Sequence, residues 1–147
     1  VRRNLLIGEV PFRNVHYAED QALAQDMQQK GYLKAYVPQG AVWHSNDYNA
    51  HEYFMRKFDE FIGLQESLGT VFSPSKKDLL FGWIRPTFRD YKYIFKDKDY
   101  NARSKIKGII KAPFFNLSLV SGKYYASKYY NNPEERKKLS LESKLRS

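Results

Sequence analysis

The chain of 147 residues contains no cysteine, so neither a disulfide framework nor a thiolate zinc site can hold it together, which fits a reducing compartment. It also lacks any apolar run near the roughly 20 residues needed to cross a bilayer, and no signal-peptide pattern opens it. Acidic residues are scarce in the rear half. Residues 1–75 carry 7 Lys/Arg against 9 Asp/Glu, residues 76–111 carry 11 against 4, and residues 112–147 carry 7 against 3. The net charge of +9 therefore belongs wholly to the rear, and this asymmetry points to a polyanionic partner there. The first residue is Val rather than Met, and Val1-Arg2-Arg3-Asn4 reads as the middle of something, so a further region upstream is expected.

What is present is enough for one ordinary domain with a real core. Hydrophobic residues make up 42% and aromatics 16%, which argues against disorder throughout. Ala18–Lys30 reads as a helix, with Leu23 and Met27 on one face, Glu19 and Asp20 in the first turn, and Gly31 as its stop. Leu33–Val37 and Ala41–His44 read as short strands around Pro38 and Gly40. Asn49 with Glu52 resembles a capping box opening a helix over 50–68, with Phe54, Phe58, Phe61 and Ile62 on its stripe and Gly69 after it.

Ser75 with Asp78 is a second cap signal. The stripe Leu80, Trp83, Ile84, Phe88, Tyr91 and Phe95 predicts a helix kinked or broken at Pro86. A further helix is predicted over 102–111, interrupted or restarted at Pro113, and residues from Glu134 onward read as a frayed, charged tail.

Three features could carry chemistry. Glu19-Asp20 at a helix start is either first-turn capping or, for Asp20, a general base taking a proton from an acceptor hydroxyl. His44, after Val42-Trp43, is either structural or a ligand for a cation that also needs oxygen donors; His16 and His51 stand at no recognisable zinc spacing from it. The basic-aromatic rear, including Lys123-Tyr124-Tyr125-Ala126-Ser127-Lys128-Tyr129-Tyr130, is a solvated face, a membrane-interface surface or a nucleic-acid surface. No zinc-finger, RNP-type or helix-turn-helix signature favours the last.

Taken in order, Pro11-Phe12, Tyr17-Ala18-Glu19-Asp20-Gln21, Gly31-Tyr32, Tyr36-Val37-Pro38, Ala41-Val42, His44-Ser45, Tyr48 and Arg56 resemble the C-terminal part of inverting GT-A glycosyltransferases. The likeness is nearest to the rhamnosyltransferase-like branch of bacterial surface polysaccharide synthesis, and it covers about residues 9–69. It implies an α+β, mainly α, fragment of a GT-A catalytic domain with a helical C-terminal extension. Residues 1–69 would form the acceptor-side end, 70–133 a basic aromatic helical region, and 134–147 a charged tail.

The resemblance further implies Asp20 as catalytic base, Glu19 shaping the acceptor site, and His44 completing the coordination of a Mg or Mn ion that binds only with an upstream nucleotide-binding half. Where relatives carry a second His two residues on, this chain has Asn46. No Asp-x-Asp motif stands in the front segment; Asp97-Lys98-Asp99 has the letters far downstream. The implied partners are a nucleotide-sugar donor, a saccharide acceptor that is lipid-linked, and an anionic membrane surface, at the cytoplasmic face of the bacterial membrane, with self-association open and nucleic acid excluded. The rival expectation is a non-catalytic helical binding module for nucleic acid or an acidic partner.

Overall fold

The computed structural model describes residues 3–15, 17–40 and 47–145, and among them every regular element is helical. After a single wide π-helical turn at Leu5–Glu9 come α1 (Glu19–Gln29), a 3-10 turn at Pro38–Gly40, α2 (Ala50–Leu68) and α3 (Lys76–Phe81). Then follow α4 (Ile84–Lys96), α5 (Ala102–Tyr129), α6 (Pro133–Leu139) and α7 (Leu141–Leu145). This corrects the α+β expectation and with it the resemblance to a GT-A fragment, because that fold is built on a sheet and the described residues contain no strand. Leu33–Val37 is irregular rather than extended into a ladder, with Leu33 97% exposed. A short apolar run with no partner strand buries little, and pattern alone does not supply the partner. The second expected strand, with His44, lies outside the described residues.

Local signals place the helix ends. The Asn49 side chain accepts from the His51 and Glu52 amides at 3.0 and 2.9 Å, while Glu52 accepts from the Asn49 amide at 2.9 Å, a reciprocal capping box. Ser75 and Asp78 do the same for α3. Helix α1 closes in a Schellman motif: Gly31 at φ +85° donates to the Gln28 carbonyl and Tyr32 to that of Met27. Asn101 and Asn132 cap α5 and α6, accepting from the Ser104 and Glu135 amides.

The core is the crossing of α2 and α5. Phe58, Ile62 and Ala126 form its buried centre, with Phe61, Tyr125, Tyr130 and Leu139 packed around them. Gly122 lets the two helices approach: a Cβ there would stand 2.9 Å from Lys57 Cβ and 3.0 Å from the Phe58 backbone nitrogen. Helix α1 and the preceding segment are tied to α2 by Arg13. Its guanidinium forms a bidentate pair with Asp26 and also donates to the Ser67 carbonyl at 2.8 Å.

Helices α4 and α5 form an antiparallel hairpin through the turn 97–101, and of the two predicted proline breaks one moves and the other does not occur. The interruption near Pro86 falls earlier, at Gly82-Trp83, so the proline sits in the first turn of α4. There the N–H it lacks is one no helix uses. Helix α5 instead continues through Pro113 as one helix of 28 residues. An interior proline costs about 3 kcal/mol, and contacts on either side offset it. Gly108 packs on Ile94, and Asn116 donates to Asp90 at 2.6 Å. The expected frayed tail is also corrected. Helices α6 and α7 fold back on α2, where buried Asp59 accepts from the Leu141 and Glu142 amides at 2.9 and 3.1 Å.

Candidate functional site: a basic and apolar face on the α4–α5 hairpin

The α4–α5 packing decides which residues of α4 reach solvent. Ile84, Thr87, Asp90, Tyr91 and Ile94 recur at helical spacing on the sheltered side, with Thr87 fully buried and Asp90 held by Asn116. The opposite side carries Arg85, Arg89, Lys92 and Lys96, spaced four, three and four residues apart, so they form one stripe along three turns. All four are exposed, and among the described residues none takes part in an ion pair. Elsewhere in the fold Arg13 is paired with Asp26, Lys57 with Glu60, Arg136 with Glu66 and Lys138 with Glu135.

Between the cation stripe and the sheltered side run Phe88 and Phe95, two turns apart and each 67% exposed. Exposed Phe88 meets half-buried Tyr91 edge-on at 6.1 Å. A shallow groove is lined by Arg85, Phe88, Arg89 and Lys92. The first half of α5 repeats the pattern. Ile106, Ile110, Phe114 and Leu117 are exposed on one face, interleaved with Arg103, Lys107 and Lys111. From Tyr100 to Pro133 the sequence holds no Asp or Glu at all.

The tyrosine-lysine run singled out in the sequence faces elsewhere. Tyr125 packs against Phe54 at 6.0 Å and stacks with Tyr129 at 5.8 Å, and Lys128 lies 5.0 Å from the Tyr129 ring. A hydrogen bond to the Tyr129 phenol, aided by its charge, holds the Lys128 ammonium pKa above its usual range. Lys123 sits over Phe72 at 5.1 Å. These rings are half-buried against the α2 side, so within the basic-aromatic rear the accessible surface is α4 rather than the tyrosine-lysine run.

Asp20 lies exposed in the first turn of α1, and its carboxylate accepts from the Gln21 amide at 2.8 Å. Glu19 precedes it, also exposed, after Ala18, which has no side chain to cap with and sits at φ +64°. Asp20 lines a cleft of about 380 Å³ with Leu23, Met27, Tyr32 and Lys34. On that cleft the Tyr32 hydroxyl donates to Glu9 at 2.8 Å, an interaction that raises the phenol's pKa. Arg56 stacks on Tyr17 with its guanidinium carbon 3.9 Å from the ring centre, and one of its terminal nitrogens is buried with no hydrogen-bond partner among the described residues. Tyr48 is half-buried. Among the described residues no three of His, Asp and Glu stand together to hold a metal ion, and His44 is not among those residues.

No protein-family model matches the chain, and no curated protein or solved structure matches it either. Among the described residues no helix is long and apolar enough to cross a membrane.

Proposed function

We propose that the chain is a helical binding module whose α4–α5 hairpin holds an acidic partner. The single observation that carries this reading is the row Arg85, Arg89, Lys92 and Lys96, four aligned cations with no ion pair among the described residues, on a helix whose one acid, Asp90, is engaged by Asn116. Like charges along one helix face repel one another and lower the stability of the isolated fold. A polyanion laid along the row reverses the sign of that contribution. Soluble heparin serves as the probe. The parent chain binds it with an affinity that falls as salt rises, and the R85Q/R89Q/K92Q/K96Q variant loses roughly several-hundredfold at low salt, from about 1 kcal/mol per cation near an anionic surface. Equal heparin binding by parent and variant would refute the reading, with the Asp20→Asn variant as a control expected to bind as the parent does.

A second reading is sugar transfer from a nucleotide-sugar donor to an acceptor saccharide, with Asp20 as base. What favours it is that Asp20 lines the α1 cleft beside Tyr32 and Lys34. In that case Asp20→Asn abolishes turnover while donor binding persists, and the hairpin variant leaves transfer unchanged.

A further inference from the structure

We propose that the acidic partner is an anionic lipid surface, on which the hairpin lies with Phe88, Phe95, Ile106 and Ile110 in the headgroup–acyl boundary. The inference rests on the reading that the hairpin holds an acidic partner, and adds what the cations alone do not specify. The exposed apolar residues are the added observation. Phe88 and Phe95 run beside the α4 cation row, and on α5 Ile106 and Ile110 are 58% and 59% exposed between Arg103, Lys107 and Lys111. Lys and Arg lay their methylene stems along apolar surface while their charges reach outward, so the two stripes can be satisfied together at a lipid interface. Neither helix need enter the hydrocarbon, in keeping with the absence of a membrane-crossing helix among the described residues.

Other occupants fit less of this surface. A second copy would bring cations against cations, since Tyr100–Pro133 offers no carboxylate to answer them. A nucleic acid would satisfy the cations and could stack on Phe88 or Phe95, but Ile106 and Ile110 have no ring to offer a base and would stay in water. A bilayer of mixed charge meets both stripes at once.

The test is co-sedimentation of the full chain with phosphatidylcholine vesicles, with and without phosphatidylglycerol, beside heparin and a single-stranded DNA oligomer. The parent is expected to pellet with phosphatidylglycerol vesicles only. The F88S/F95S variant, altered at exposed positions and checked by circular dichroism for intact helix, should lose about tenfold or more in vesicle partitioning and keep its heparin binding. Binding to heparin or DNA without binding to phosphatidylglycerol vesicles would overturn the lipid assignment and leave the acidic-partner reading standing. Failure to bind any of the anionic probes would overturn both. Vesicle binding undiminished in F88S/F95S would refute the insertion of the aromatic stripe.

Discussion

Arg13 shows how one side chain can join three segments. Its guanidinium spans Asp26 on α1 and the Ser67 carbonyl near the end of α2, while Ser67 in turn donates to the Tyr17 carbonyl at 3.2 Å. The hydrogen bond from Arg13, aided by its charge, holds the Asp26 carboxyl below the usual carboxylate range. A depressed folded-state pKa contributes stability above the unfolded value, near pH 4, and that contribution is lost as pH falls through the folded value. The melting temperature of the parent should therefore drop below about pH 4 more steeply than that of Asp26→Asn. Thermal unfolding followed between neutral pH and pH about 3 checks this. Parallel curves would mean the pair adds nothing specific to acid sensitivity.

At the scale of elements, the closest constraint is between α2 and α5. A methyl group at position 122 would meet the α2 backbone, which cannot swing aside as a side chain can. Gly122→Ala should destabilise the fold by about 1–3 kcal/mol, the usual penalty of overpacking, despite alanine's better helix propensity. Urea unfolding measures it, and an unchanged midpoint would show the two helices free to separate.

The same scale explains what could be read in advance. Helices α1 and α2 were legible almost to the residue because their signals are local: Gly31 for the Schellman stop, Asn49 and Glu52 for the capping box. Among the described residues there is no sheet, since Leu33–Val37 has an extended pattern but no partner there, and pairing is a long-range property. Pro113 misled for the converse reason, its local penalty being outweighed by Ile94 and Asp90 packing on the opposite helix. The row of cations on α4 stood in plain view at spacing four, three and four. Its alignment into one face was not singled out within the basic rear, and Phe88 and Phe95, members of the apolar stripe, lie outside, because which side of an amphipathic helix is covered depends on the neighbour. Asp20 was found where expected in a first turn, whereas no arrangement of further groups around it was encoded in spacing.

At the scale of the whole molecule, the C-terminal helices cover the core and Asp59 holds them. Its carboxylate takes two amides at the start of α7, and Leu139 packs against the Phe58–Ile62 cluster. Asp59→Ala would leave those amides without their acceptor, at a cost of about 1–3 kcal/mol. The expected result is cleavage by a protease within 131–145 at a concentration that leaves the parent intact, with α2 and α5 still protected. Equal resistance would show that packing of Leu139 alone secures the segment.

That long reach has a kinetic side. The Asp59 contacts with Leu141 and Glu142 close loops of 82 and 83 residues, the longest separations in the hydrogen-bonded framework described above. Such contacts form late, because the chain entropy of bringing distant segments together must be met before they contribute. An early species would thus have α2 and α5 crossed but Phe58 and Ile62 still uncovered on one side, alongside a hairpin that is apolar and cationic already. During refolding, such an intermediate would be the species most prone to clump, and dilution should raise the yield of native protein more than slowing the mixing does.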